Sequence, residues 1–290
     1  ICSASHCLTV YNPRLYKSCT PTNVKHKKTR LTIYSLCLVL LGACSSVMQS
    51  ATNDMASNLS SAIMNQDDPE TVRDGAPAYL LLLDSFIAGS PDNPAMLAAA
   101  AELYAAYGVI FVADEGRADR LTQRALTYGQ RSLCASNQSA CGLHDLKFQD
   151  FEAVLKELDK KDAASLFTYG LSSIAYIKVH SDDWGAMTKL PGVEAALKRV
   201  KALDPEYQAA QVEHYLAVLN TIRPPALGGN FEAGKAHFER ATALSKGKDL
   251  SISVDFARYY ARTLYDRELH DKLLNEVMSA EPNQEGLTLF

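Results

Sequence analysis

Near the C-terminal end, the stretch PALGGNFEAGKAHFERA (225–241) carries the outline of a phosphate-binding loop: Gly229, four residues, then Gly234 and Lys235. Such a loop needs a Ser or Thr after the lysine, because its hydroxyl holds the magnesium ion that accompanies the phosphates. Ala236 stands there and has no oxygen to offer. The loop should also leave a buried strand, yet LAVLNTIRPPA (216–226) ends in two prolines, which a central strand excludes. Phe231, Ala233, Ala236, Phe238, Ala241 and Leu244 are spaced instead as one apolar helix face, with Asn230 suited to the N-cap and Glu232 to the first turn. The spacing describes packing. Gly234 inside that helix costs about 1 kcal/mol in propensity, so a neighbouring helix is expected to press against it.

The second polar set is DFARYYARTLYDRELHD (255–271). Arg258 and Arg262 lie four apart and share a helix face with Asp255, three residues before Arg258, while Tyr259 turns toward the same side. Two arginines so placed could hold a carboxylate in a two-point grip; a solvated face with ordinary ion pairs is the alternative, and both stay open here. No catalytic set appears: there is no Gly-x-Ser-x-Gly elbow and no His-Glu-x-x-His pair. His144, His180, His214, His237 and His270 are scattered. His214 and His237 fall on adjoining helices and read as surface or satisfied core groups. Neither an enzyme, a metal nor a cofactor is expected.

The N-terminal region addresses the chain. Lys25, Lys27, Lys28 and Arg30 precede thirteen mostly apolar residues, Leu31 to Ala43, a run too short to span a bilayer but suited to a signal-peptide core. Leu41-Gly42-Ala43-Cys44 resembles the bacterial lipobox, in which the cysteine is acylated and becomes the new N-terminus. Ser45 after it favours, by analogy, the outer membrane, and several acyl chains hold a protein durably on a bilayer. The expected organisation is therefore an upstream extension over 1–23, a lipoprotein signal over 24–43, a tether over 44–53 and one domain over 54–290. Residues 1–43 hold six of the 29 basic residues and no acidic one, leaving 23 against 33, a formal charge of −10. Such a body repels nucleic acid, which is dropped as a partner. Only Cys134 and Cys141 of the seven cysteines lie beyond Cys44. In an oxidising compartment they could pair; free thiols are the alternative, and a metal is disfavoured because His144 brings the ligands only to three.

Beyond the tether the apolar spacing is helical almost throughout. Helices are expected over 69–89, 94–112, 115–133, 147–159, 161–179, 192–203, 206–222, 230–245, 251–265 and 267–279. The first contains YLLLLDSFIAG, apolar on most sides, and reads as a helix buried in the middle of the body, with Pro77 bending or dividing it. The later helices pair off, the second of each pair ending near Leu203, Leu244 and Val277, in steps of 41 and 33 residues. Periods of that size in helix–turn–helix units read as degenerate tetratricopeptide-like (TPR-like) repeats. A single hairpin cannot bury its apolar face, so neighbours must stack. The fold class is all-α, stacked helical hairpins in one body.

Three stretches, DGAPAYLLLLDSFIAGSPDNPAMLAAAAELYAAYGVIFV (74–112), PALGGNFEAGKAHFERATALSKGKDL (225–250) and DFARYYARTLYDRELHDKLLNEVM (255–278), together resemble the T component (TatT) associated with tripartite ATP-independent periplasmic (TRAP) transporters. The resemblance covers most of 65–280. It implies an all-helical lipoprotein with TPR-like hairpins, able to form homotrimers, each protomer holding a channel or cavity, docking a periplasmic TRAP solute-binding protein and handling a small, apolar ligand. On that reading Asp255, Arg258, Tyr259 and Arg262 become candidate channel-lining residues. The Cys134–Cys141 insert departs from the pattern. A scaffold lipoprotein that gathers envelope proteins is the competing reading. Trp184, the only tryptophan, lies in HSDDWGAMTKLPG (180–192), as an interface anchor or as a cap on the helix stack. Tyr104, Tyr107, Phe111 and Tyr169 at helical spacing read as core.

Overall fold

The computed structural model describes residue 58, residues 61–223, residue 225, residues 228–281 and residue 286. The basic segment, the apolar run, Cys44 and the tether lie outside the described residues. The chain is all-α, and among the described residues there is no strand. The described helices that carry the architecture are α1 Pro69–Gly89, α2 Pro94–Ile110, α3 Glu115–Ser136, α4 Phe148–Glu157, α5 Ala163–Val179, α6 Trp184–Met187, α7 Leu190–Leu203, α8 Ala209–Thr221, α9 Phe231–Ser245, α10 Leu250–Asp255 and α11 Arg267–Met278. None of the described helices is long and apolar enough to cross a membrane.

Their starts follow capping chemistry. Asp68 and Asn93 accept from the first free backbone N–H groups, each followed by a proline at the first helical position. Asp114, Asn230 and Asp266 cap α3, α9 and α11 in the same way. Consecutive long helices then fold back as antiparallel hairpins, α2 on α3 and α8 on α9, while α5 is wrapped by α2, α3 and α7.

Three details differ from expectation. The middle of the body is α5, where Ser165 through Gly170 are all buried. α1 instead buries one stripe, Val72, Ala76, Leu80, Leu83 and Ile87, and leaves Leu81 69% exposed, because the described residues cover it from the α2 side. It also runs through Pro77, so the proline does not divide it. Proline has no N–H, so the carbonyl of Arg73 loses its helical donor; the Tyr107 hydroxyl of α2 donates to it at 3.1 Å.

The third correction concerns α9. Its buried stripe is Gly234, Phe238 and Ala241, while Ala236 and Leu244 are exposed. Gly234 sets this phase: a Cβ there would lie 2.4 Å from Thr221 Cγ2 of α8. The helices touch backbone to side chain at that point, as the mid-helix glycine suggested. Phe238 seals the same seam, fully buried and stacked on Phe256 with ring centroids 4.7 Å apart.

Candidate functional site

After Asp255 the helix widens. Phe256–Ala261 is a π-helical turn, with Arg262 N bonded to Ala257 O and Asp266 N to Ala261 O, both 2.9 Å. Such turns are frequent at functional sites. The wider turn changes the rotation per residue, and although the three-residue spacing puts Asp255 and Arg258 on one face, no ion pair joins them among the described residues. Asp255 Oδ2 meets His214 Nε2 of α8 at 2.9 Å. Arg258 is exposed, its guanidinium 5.2 Å from the centre of the Tyr259 ring. Arg262 is exposed too. The four candidates thus divide: Asp255 is held by His214, Tyr259 is half-buried under Arg258, and the two arginines are exposed.

The inward side of this region is aromatic and acidic. Tyr215 stacks on His214 at 5.6 Å. Phe167 of α5 meets Tyr215 at 6.3 Å and, edge-on, Tyr207 at 5.9 Å. Tyr207 precedes α8, and Gln208 between them takes a left-handed conformation, φ 47°, that starts the helix three residues later than the spacing suggested. One helix across, Thr168 Oγ1 of α5 donates to Glu102 Oε1 of α2 at 2.8 Å. Glu102, Tyr207 and Tyr215 share an unusual state. Each keeps some accessible area, yet each is desolvated: burial raises the Glu102 carboxyl above its ordinary range, against the Thr168 hydrogen bond. Burial and the charge of Glu102 push Tyr207 up to about 12, and burial with the charges of Asp249, Glu102 and Asp255 pushes Tyr215 higher still. A side chain that is reachable but surrounded lines a concavity. Glu102, Phe167, Tyr207 and Tyr215 escaped the sequence reading; the available signal was a lone acid in AAAAELYAAYG.

Two further carboxylates lock the hairpins on the outer side. Glu213 is buried and meets Lys201 at 2.6 Å, His237 Nδ1 at 2.5 Å and Arg240 at 3.5 Å. His214 and His237 therefore do not meet each other; each serves its own carboxylate. Glu194 pairs with the buried Arg223 and, at 2.8 Å, with Lys198.

Cys134 and Cys141 are joined as a disulfide beside a cavity of about 200 Å³ that Leu133, Leu143, His144 and Tyr169 help to line. Among the described residues no group of His, Cys, Asp and Glu could hold a metal ion. Trp184 is 68% exposed at the start of α6, so the short helix displays it and does not use it as a cap. Tyr104, Tyr107 and Tyr169 are buried, while Phe111 is half-buried.

A family model described as TRAP transporter T-component matches residues 65–290. No curated protein matches the chain.

Proposed function

The chain belongs to the TRAP transporter T-component family, and from that premise we propose that it is a lipid-anchored, periplasm-facing accessory of a TRAP system. Cys44 carries the anchor, set in the outer membrane. The body forms a homotrimer, takes up a small ligand with an apolar body, and delivers it to a docked periplasmic solute-binding protein. The observation that carries the ligand-handling reading is the wall of Phe167, Tyr207 and Tyr215 beside Glu102, whose polar members are accessible yet desolvated. Ligand sites are concave and mostly apolar, with a few placed polar groups, and this wall has that composition. It replaces the arginine-lined passage that the chemistry of 255–262 suggested, since Arg258 and Arg262 point to solvent.

Native mass spectrometry of the Cys44→Ser chain, before and after mild delipidation, tests the proposal. A trimer whose protomers each lose an organic-extractable mass is the expected result. A monomer with nothing bound would overturn it in favour of a scaffold lipoprotein. Co-purification with a TRAP solute-binding protein is the matching test of the partner.

A further inference from the structure

Among the described residues Glu102 is a carboxylate without a counter-ion. Its hydrogen-bond donor among the described residues is the neutral Thr168 hydroxyl at 2.8 Å, whereas buried Glu213 and half-buried Glu194 each have basic partners. Desolvated charges are ordinarily paired, because an isolated one is expensive to keep. An unpaired, desolvated acid in a concave wall marks a functional position.

Its surroundings show what the missing partner is. The rings of Phe167, Tyr207 and Tyr215 sit together at 5.9 and 6.3 Å, and aromatic faces attract cations through their quadrupole. The charges felt by the two phenols come from Glu102, Asp249 and Asp255, and all are negative. The arginines of the π turn face solvent, and His214, the basic ring stacked on Tyr215, is already held by Asp255. Among the described residues, a carboxylate entering this space therefore meets like charge without a free basic group to receive it.

Resting on the ligand-handling reading above, we propose that this wall takes an organic ammonium ligand, with the Glu102 carboxylate receiving the ammonium group and Tyr207 and Tyr215, backed by the buried Phe167, receiving its apolar body. The site therefore discriminates by head-group charge: amines enter, free carboxylates are refused.

Isothermal titration of the full chain with octylammonium, octanol and octanoate tests this, because the three share one apolar chain. Octylammonium is expected to bind about tenfold more tightly than octanol, the size of one charge-assisted hydrogen bond, and octanoate more weakly than either. The isosteric Glu102→Gln keeps an acceptor for Thr168; it should remove the octylammonium advantage and leave octanol binding within about twofold, since neutral contacts are unchanged. Equal binding of the three probes, or octanoate binding best, overturns the ammonium assignment while leaving the apolar passage standing. Failure of all three to bind overturns both.

Discussion

The Tyr107 hydroxyl of α2 donates to the Arg73 carbonyl of α1, the one acceptor that Pro77 deprives of its helical N–H. A proline inside α1 and a tyrosine thirty residues later are therefore a single device, which keeps α1 continuous and fixes it on α2.

Tyr107→Phe takes the donor from that part-buried carbonyl and should destabilise the fold by about 1 kcal/mol. In a Pro77→Ala background the backbone N–H of residue 77 supplies the bond, so the same substitution should cost clearly less. Urea unfolding of the four variants measures the coupling. Equal costs in both backgrounds would mean that Tyr107 acts by packing or through Arg117, which donates to its hydroxyl at 3.4 Å, and not through the Arg73 carbonyl.

Gly234 and Gly75 should respond oppositely to alanine. Gly75 has open space where a Cβ would stand, and Gly75→Ala should stabilise α1 by about 0.5–1 kcal/mol through helix propensity. At Gly234 the new methyl meets Thr221 Cγ2 at 2.4 Å, on a β-branched side chain also tied to Ala217 O. Overpacking of this kind costs about 1–3 kcal/mol, enough to outweigh the propensity gain. Thr221→Ser removes the obstructing methyl and should rescue Gly234→Ala; thermal melts read both signs.

These relationships mark how much the sequence discloses. Helix starts were legible because Asp68-Pro69, Asn93-Pro94 and Asn230 carry their caps locally. Gly234 was legible because an unfavourable residue in mid-helix implies a partner pressing on it. The π turn at Phe256–Ala261 was not: counting by threes and fours joined Asp255 to Arg258, whereas the wider turn hands Asp255 to His214. α1 misled in another way, since a run of leucines reads as wrapped on all sides whatever its neighbours are. Glu102 was hidden because a single acid on an apolar helix has the same appearance whether it faces water or a concave wall.

The disulfide makes a prediction of its own. It joins residues seven apart in sequence, closing a loop whose entropy accounts for about 2.5 kcal/mol of stability. Replacing both cysteines by serine should lower the unfolding free energy by that order, and adding dithiothreitol to the parent chain should reproduce the loss. A parent insensitive to reductant, with a variant of equal stability, would show that the loop is held by Leu133, Leu143 and their neighbours alone.

Glu213 and Glu102 should give stability profiles of opposite sign. Burial alone would raise Glu213, but Lys201 and His237 outweigh it and hold its carboxyl below the ordinary range. A group depressed in the folded state contributes stability above its unfolded pKa, about 4.3, and loses it as pH falls through the lower folded value. Glu213→Gln should therefore destabilise at neutral pH, by about 1–3 kcal/mol, with the difference closing in acid. Glu102 is raised by burial, so its ionised form opposes folding above that pKa, and the opposition disappears as pH falls to the unfolded value. Glu102→Gln should stabilise the chain at neutral pH and be nearly neutral in acid. Urea midpoints across pH 3–8 separate the two. A destabilising Glu102→Gln at neutral pH would mean that a counter-ion within the protein pairs with Glu102. A stabilising one identifies a carboxylate whose place is explained by what it binds and not by what it holds together.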